Sequence, residues 1–512
     1  MQQLCRAARP FCRSTIPARF LLFALACGLR GETAPPLARA LPLNHLPDSR
    51  VLNRDAQGFH FMPTAIGDDY FDGTSSLARV RRHLRVARES GAKYLRCAFS
   101  WNGIEKEHGR YDWAFWDSLV NAAEENGIEL IPYVAYTPEW AARGTQDFWK
   151  QPPRDPRLYA DFMSRVAARY RGRIRSWEIW NEPDNKEYWT GTADEFATLV
   201  KTAAASIRAA DPKAVLVLGG MANGPSEFFR RLITGDHIDR YVDIVAAHAY
   251  PETWRNGPAE DVFQHWIPEM RAMIARDGSG AGLWLNEMGY ADYRFRRNQA
   301  SIYGTNVYYK YEHTRRYQAE MLFKFDVMAL ATQQVSLAGW YRIDDFAPTE
   351  QRLGPDLVNS HLGVLDARGR PKPALSAMAL FNRLFRGPVR LAHTRIVRRA
   401  NSRSVVKVFR TKHDRIIVVG WLRGPKPHEV RRRTGELRDA RSEVVTAGLP
   451  CAARRLLGYY DIEGRRSSRP QARLRARSLS GIRLRGDRAF VAELSCGALP
   501  TPSAFQTASR GR

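Results

Sequence analysis

Two glutamates stand in matching settings: Glu182 in Trp180-Asn181-Glu182-Pro183, and Glu287 in Leu285-Asn286-Glu287-Met288-Gly289. Each follows a short apolar run, at 173–179 and 282–285, and so reads as the tip of a buried strand. Two carboxyl groups facing each other at strand tips can cut a glycosidic bond by double displacement. One gives and later takes a proton while the other attacks the sugar. The donor has to arrive protonated and the attacker ionised. Once the attacker is consumed, the donor loses its anionic neighbour, its pKa falls and it serves as base for water. Glu182 is the expected acid/base and Glu287 the expected nucleophile. Asn181, beside the acid, is placed to hydrogen-bond the sugar 2-OH as the transition state forms. A lone glutamate is ordinarily a surface ion-pair partner. The apolar strand ends and the Asn and Trp neighbours argue otherwise here.

Elements that could position such a pair alternate along residues 58–387. Strand patterns fall at 58–65, 93–100, 128–136, 174–182, 214–222, 242–250, 282–289 and 335–343. Amphipathic patterns between them fall at 75–90, 113–126, 155–170, 193–210, 226–235, 262–276, 311–330 and 372–386. The segment 113–126 is the clearest, with Phe115, Leu119, Ala122 and Ala123 on one face and Gly127 as its closing residue. Eight strands, each followed by a helix, predict an α/β protein built on a (β/α)8 TIM barrel, which carries its chemistry at the C-terminal ends of its strands. A doubly wound open sheet is the rival, but no glycine-rich phosphate fingerprint follows the first strand. After Gly387 short alternating runs (404–409, 415–421, 489–494) separated by Gly/Pro/Arg-rich turns predict a small C-terminal antiparallel β-sandwich. The expected division is a leader at 1–40, a barrel at 41–387, a sandwich at 388–500 and a flexible tail at 501–512.

Of the 512 residues, 44% are apolar, enough for a full core, and the net charge of +26 is unevenly placed. Residues 391–512 carry +19 and residues 1–40 carry +5, which leaves the barrel region at +2. The basic C-terminal region suits an acidic polysaccharide or an anionic envelope surface. A solvated arginine-rich surface is the plain alternative. Four arginines by position 19 and the apolar run 20–29 fit a secretory signal too short to span a bilayer, with Ala38-Arg39-Ala40 as a cleavage site. The expectation is a periplasmic or secreted protein without a stable transmembrane span. An uncleaved anchor or a misassigned start are the alternatives. Of six cysteines three lie in the leader, Cys97 is a core residue, and Cys451 and Cys496 could pair if exported. No CxxC or His-rich spacing suggests a metal, and neither a cofactor nor a nucleic acid is expected.

The run 94–141 (YLRCAFSWNGIEKEHGRYDWAFWDSLVNAAEENGIELIPYVAYTPEWA), with EIWNEPD, LWLNEMGY and the closing run 361–384, resembles glycoside hydrolase clan A. Within the clan it is most similar to family 39 and to related barrel enzymes that cut biofilm exopolysaccharides. The resemblance spans roughly 55–387 and implies a retaining mechanism on Glu182 and Glu287. It also implies that Arg96 supports the nucleophile, with a carboxylate partner because an unpaired cation in a barrel is costly. By the same resemblance His248 and Tyr250, on one side of the sixth strand, orient the nucleophile and touch the sugar, and Trp340 floors the cleavage subsite. Core packing is the plainer role for His248 and Trp340. Further aromatics in predicted loops, Trp101, Tyr136, Trp140, Trp189, Trp254 and Tyr303, could stack on sugar rings along a groove. Arg294, Arg296 and Arg297 could meet uronate groups. Together these predict a retaining β-glycosidase acting on a polysaccharide, endo-acting on an exopolysaccharide. An exo-acting β-xylosidase-like or uronidase-like enzyme and a non-catalytic polysaccharide-binding protein are the alternatives.

Overall fold

The computed structural model describes residues 53–70, 73, 75–251, 259–293, 299–300, 306–307, 313–347, 359–424, 441–467, 472–486 and 488–496. The leader, the tail, Trp254, Tyr303, Arg294, Arg296 and Arg297 lie outside them.

Eight parallel strands close into a barrel: β1 (Thr64–Gly67), β2 (Tyr94–Ser100), β3 (Glu129–Ala135), β4 (Ser176–Ile179), β5 (Val215–Met221), β6 (Ile244–Ala249), β7 (Gly282–Met288) and β8 (Ala338–Tyr341). Helices α1 (Leu77–Ser90), α2 (Ala114–Glu125), α3 (Pro156–Arg169), α4 (Ala193–Ala210), α5 (Glu227–Arg230), α6 (Ile267–Asp277), α7 (Arg315–Thr332) and α8 (Pro373–Leu384) alternate with them. The predicted barrel is borne out. Local signals set the helix ends. Ser76 caps α1 and Gly91 closes it at φ 78°. Thr192 and Glu195 form a capping box on α4. Gly127, at φ 66°, follows α2, whose buried face includes Trp116, while Phe115 is only half-buried.

β1 begins at Thr64, later than its apolar pattern. His60 exchanges backbone hydrogen bonds with Val389 instead, and Pro63 has no N–H to give a ladder. The lower barrel is filled by Ala65, Ile131, Val217, Ile244, Ala246, Trp284 and Leu337. Charged and polar side chains replace them toward the C-terminal strand ends, where Arg96, Glu178 and Asn286 are all buried.

Beyond α8 the chain makes two antiparallel sheets, as expected. The six-stranded sheet comprises β9 (Val389–Leu391), β11 (Ser404–Thr411), β12 (Arg415–Leu422), β18 (Phe490–Cys496), β14 (Ala453–Tyr460) and β15 (Arg466–Ser467). The four-stranded sheet comprises β10 (Ile396–Val397), β13 (Ser442–Gly448), β17 (Ser478–Arg485) and β16 (Arg473–Arg475). Alternation along β12 buries both of its faces. Ile416, Val418 and Leu422 pack between the sheets, whereas Ile417, Val419 and Trp421 join the core of the barrel. Trp421 donates to Glu260 (3.3 Å) and the Phe409 ring lies 5.1 Å from Phe385 on the barrel side. The sandwich is thus welded to the barrel rather than tethered to it. Cys451 and Cys496 form a disulfide with Cα atoms 5.8 Å apart.

Candidate active site

Arg96 organises the mouth of the barrel. Pointing inward from β2, its guanidinium makes a two-pronged pair with Glu178 of β4 (2.7 and 2.9 Å), donates to Glu287 (2.6 Å) and donates to Asn181 (2.7 Å). The buried cation therefore has a structural carboxylate in Glu178, as its burial demanded, and a second carboxylate partner in Glu287. Glu178 is fully buried and also accepts from Asn286 (2.9 Å) and from the Gly220 N–H (3.0 Å).

Asn286 and Glu287 are neighbours on β7, yet both serve this network. An ideal strand would send them to opposite faces. The register slips between Ala246 and His248 and again between Ala338 and Trp340, which places a bulge at this point of β7 and turns both side chains to the mouth. On the other side of the barrel Trp180 and Glu182 leave β4 with φ of 71° and 45°, and Tyr136 leaves β3 with φ of 77°. Positive φ in such residues is uncommon and clusters at working sites. The Glu182 N–H is tied to the Gly220 carbonyl (3.1 Å).

These turns bring the two glutamates face to face. One carboxylate oxygen of each, together with His248 Nδ1, lies within 4.8 Å of the other two atoms. Glu182 Oε1 pairs with His248 Nδ1 (2.7 Å) and its Oε2 accepts from Asn185 (3.0 Å). Glu287 Oε1 accepts from the Tyr250 hydroxyl and sits 3.7 Å from His248 Nδ1. Burial pushes the His248 imidazole down, and its Nε2 faces Gly220 without a described hydrogen-bond partner. The ring proton therefore belongs on Nδ1, from which it donates to Glu182. Burial pushes the Glu287 carboxyl up, against the pull of His248, Arg96 and the Tyr250 hydroxyl. Burial and the charge of Glu287 keep the Tyr250 phenol well above its usual range, so it remains a donor.

Glu182, Glu287, Asn181, Arg96, His248 and Tyr250 are brought together, with Tyr136 buried beside them against Trp180 (6.1 Å). Three expected sugar contacts are corrected. Trp340 points outward from β8 toward Phe325 of α7 (6.3 Å) and is only 2% exposed; the strand's alternation turns its neighbour Tyr341 to the mouth. Trp101 is fully buried against Phe162 (5.6 Å) and Trp140 (5.7 Å). Trp189 is fully buried between Trp180 (5.0 Å) and Phe196 (5.5 Å). All three are core.

Glu178, Asn286, Asn185, Tyr341 and Asp69 were missed by the sequence reading. A charge interrupting an apolar strand signals Glu178, and the repeated Asn-Glu pair signals Asn286. Nothing local marks Asp69, which accepts from the hydroxyls of Tyr133 (2.6 Å) and Tyr341 (2.5 Å). A second cluster near the strand ends, Asp292, Asp345 and His361, also has three atoms within 4.8 Å. There the Lys372 ammonium already lies 3.1 and 2.7 Å from the two aspartates.

Residues 57–274 match the model of Glycosyl hydrolases family 39. A β-xylosidase of Caldicellulosiruptor saccharolyticus is 22% identical over 338 residues, covering 59% of this chain and 64% of that protein. An endo-1,4-β-xylanase of Gibberella zeae is 27% identical over 143 residues, covering 26% of this chain and 39% of that protein. The chain thus spans less than two thirds of the length of either relative. A family 39 glycoside hydrolase from Bacteroides cellulosilyticus WH2 superposes with a TM-score of 0.62 at 16% identity, over 85% of this chain and 81% of that one. That superposition shows the shared fold. The resemblance to clan A and family 39 is borne out.

Proposed function

We propose that this chain, a clan A barrel of the family 39 type, is a retaining β-glycosidase with Glu287 as nucleophile and Glu182 as acid/base. The observation that carries the reading is the facing pair of carboxylates within 4.8 Å. Retaining enzymes hold their carboxyl groups about 5–5.5 Å apart, and inverting ones about 6.5–9.5 Å, to admit a water. In this reading the Arg96 and Tyr250 donors keep Glu287 ionised against its burial, so that it attacks the anomeric carbon. Glu182 protonates the leaving oxygen while His248 steadies its other oxygen. After Glu287 is esterified, the loss of its charge lowers the affinity of Glu182 for its proton, and Glu182 then draws a proton from the incoming water. Asn181, with its oxygen committed to Arg96, has its NH2 left for the sugar 2-OH.

The polymer is a finer matter. Endo-cutting of an exopolysaccharide is supported more narrowly than the spread of aromatics promised, since Trp101, Trp189 and Trp340 are core. Trp140, Trp149 and Tyr188 remain half-buried in the loops after β3 and β4 and are the candidate stacking faces. An exo-acting enzyme is favoured by the name of the β-xylosidase relative. Export belongs to the same proposal and is supported by the Cys451–Cys496 disulfide, a bond that persists in oxidising compartments.

Paired variants test the assignment. Glu287→Ala should cost more than about 10⁴-fold in turnover of β-glycosides with the fold intact. Glu182→Ala should cost about 10²–10⁴-fold on poor leaving groups and much less on activated aryl glycosides, which need no protonation. Equal losses on both substrate classes would remove Glu182 as the acid. Digestion of a polymer that releases single sugars only, from chain ends, would refute the endo mode.

A further inference from the structure

Asp69 stands at the mouth of the barrel in a setting that the work of the two glutamates does not explain. It lies just beyond Gly67 of β1, which is level with Arg96 of β2 on one side and with Tyr341 of β8 on the other. One oxygen of its carboxylate accepts from the Tyr133 hydroxyl of β3 (2.6 Å), and the other accepts from the Tyr341 hydroxyl (2.5 Å). Both tyrosines border the chemistry. The Arg96 guanidinium, which donates to Glu287, lies 4.4 Å from the centre of the Tyr133 ring. Burial, Asp69 and the charge of Glu287 hold the Tyr341 phenol well above its usual range. Burial and Asp69 do the same for Tyr133. Both phenols keep their protons, so Asp69 is the acceptor in both bonds.

The preceding residue shows what a purely structural carboxylate looks like here. Asp68 is fully buried, pairs with Arg342 (2.9 Å) and lies 3.4 Å from His83. Asp69 is only half-buried, and among the described residues its carboxylate meets two hydroxyls and no cation. A carboxylate partly withdrawn from water costs stability unless donors fill its acceptor sites. Each of its oxygens offers two such sites, and the tyrosines fill one on each. The two hydroxyls spend their single protons on Asp69, so their oxygens can only accept. Asp69 and Tyr341 thus form an acceptor-only patch. It complements O–H donors and offers nothing to a group that itself only accepts, such as a carboxylate.

We infer that Asp69 is a substrate-contacting residue of the cleavage subsite. Its carboxylate accepts from a ring hydroxyl other than the 2-OH, and it turns away a sugar that carries a carboxylate of its own. Arg96, only 2% exposed and shared between Glu178 and Glu287, does not offset this further negative group. A like charge placed beside Asp69 and Glu287 is repelled. The inference rests on the glycosidase reading above and narrows it to a neutral sugar at the cut, which sets the uronidase-like alternative aside.

The test measures kcat/KM of the full chain on 4-nitrophenyl β-D-xyloside, β-D-glucoside and β-D-glucuronide, and on the 3-deoxy and 4-deoxy analogues of the better neutral one. The variants are Asp69→Asn, which keeps the shape and one acceptor, and Tyr341→Phe, which keeps the carboxylate. For the parent, the better neutral glycoside should exceed the glucuronide about tenfold or more. One deoxy analogue should lose about 10- to 100-fold, the scale of a hydrogen bond to a charged group. Asp69→Asn should lose a similar factor on the full substrate, lose little more on that analogue, and narrow the gap to the glucuronide. Tyr341→Phe should keep the deoxy penalty. Equal losses by Asp69→Asn on the full substrate and both analogues would reduce Asp69 to a brace for the tyrosines and overturn the inference, as would unchanged rates. A glucuronide cut by the parent as well as the neutral glycosides would overturn it even if the melting temperature showed Asp69→Asn to be unfolded. A parent that cut none of these would count against the catalytic reading instead. Calorimetric binding of phenyl 1-thio-β-D-xyloside and phenyl 1-thio-β-D-glucuronide would then decide the inference. A preference for the xyloside that Asp69→Asn removes supports it, and no preference overturns it.

Discussion

Gly220 is the smallest residue of the site and one of the most constrained. Its N–H holds Glu178, its carbonyl holds Glu182, and a Cβ there would fall 2.0 Å from His248 Nε2. Gly220→Ala should displace His248 and with it the acid. The expected outcome is a fall of about 10²-fold in kcat/KM on poor leaving groups, the scale of an ångström's misplacement, with a smaller fall on activated ones. Steady-state kinetics on both substrate types check it, and an undiminished rate on both would show that His248 does not position Glu182. Tyr250 offers a pH test. Its hydroxyl favours the ionised form of Glu287, so Tyr250→Phe should raise that carboxyl further. The acidic limb of the kcat/KM profile should then move up by about one pH unit. A limb that stays put would mean that the phenol does not support the nucleophile. At the level of single residues the sequence showed the two glutamates and Asn181 plainly. It hid whatever depends on side-chain direction. Trp340 and Tyr341 differ by one step of alternation, which no composition reveals, and the αL turns at Trp180 and Glu182 occur in residues that give no glycine-like warning.

Elements were legible where their patterns are long and uninterrupted. All eight β/α alternations could be read, because buried parallel strands are continuous apolar runs and the helices between them are amphipathic. The ends were not legible. β1 starts late because His60 pairs with Val389, far along the chain, and β4 stops at Ile179 because the next residues turn into the site. The bulge in β7 was likewise invisible, although it alone lets Asn286 and Glu287 serve one network. The pairing of Cys451 with Cys496 could be posed from sequence but not decided, since spacing does not give distance. Cross-linking β18 to the loop before β14 closes 45 residues, so replacing both cysteines by Ser should cost about 2–4 kcal/mol of stability. Denaturant midpoints with and without reductant measure this. A midpoint unaffected by either change would show the bond to be dispensable.

At the scale of the whole molecule, the two parts share a core. Ile417, Val419, Trp421, Phe409 and Val491 of the six-stranded sheet pack with barrel residues, so the accessory region is a structural half as well as a charged one. Trp421→Ala should cost about 3–5 kcal/mol, and removal of residues 388–512 should leave an insoluble or less stable barrel rather than an active one. A truncated barrel that melted with the parent would contradict the shared core. In the proposed mechanism Glu182 and Glu287 act on one sugar across a gap too narrow for an intervening water. The most direct test is to follow hydrolysis of an activated β-glycoside by NMR and read the anomer first released, before mutarotation. Double displacement on this pair should release the β-anomer first, with configuration retained. First release of the α-anomer would contradict it.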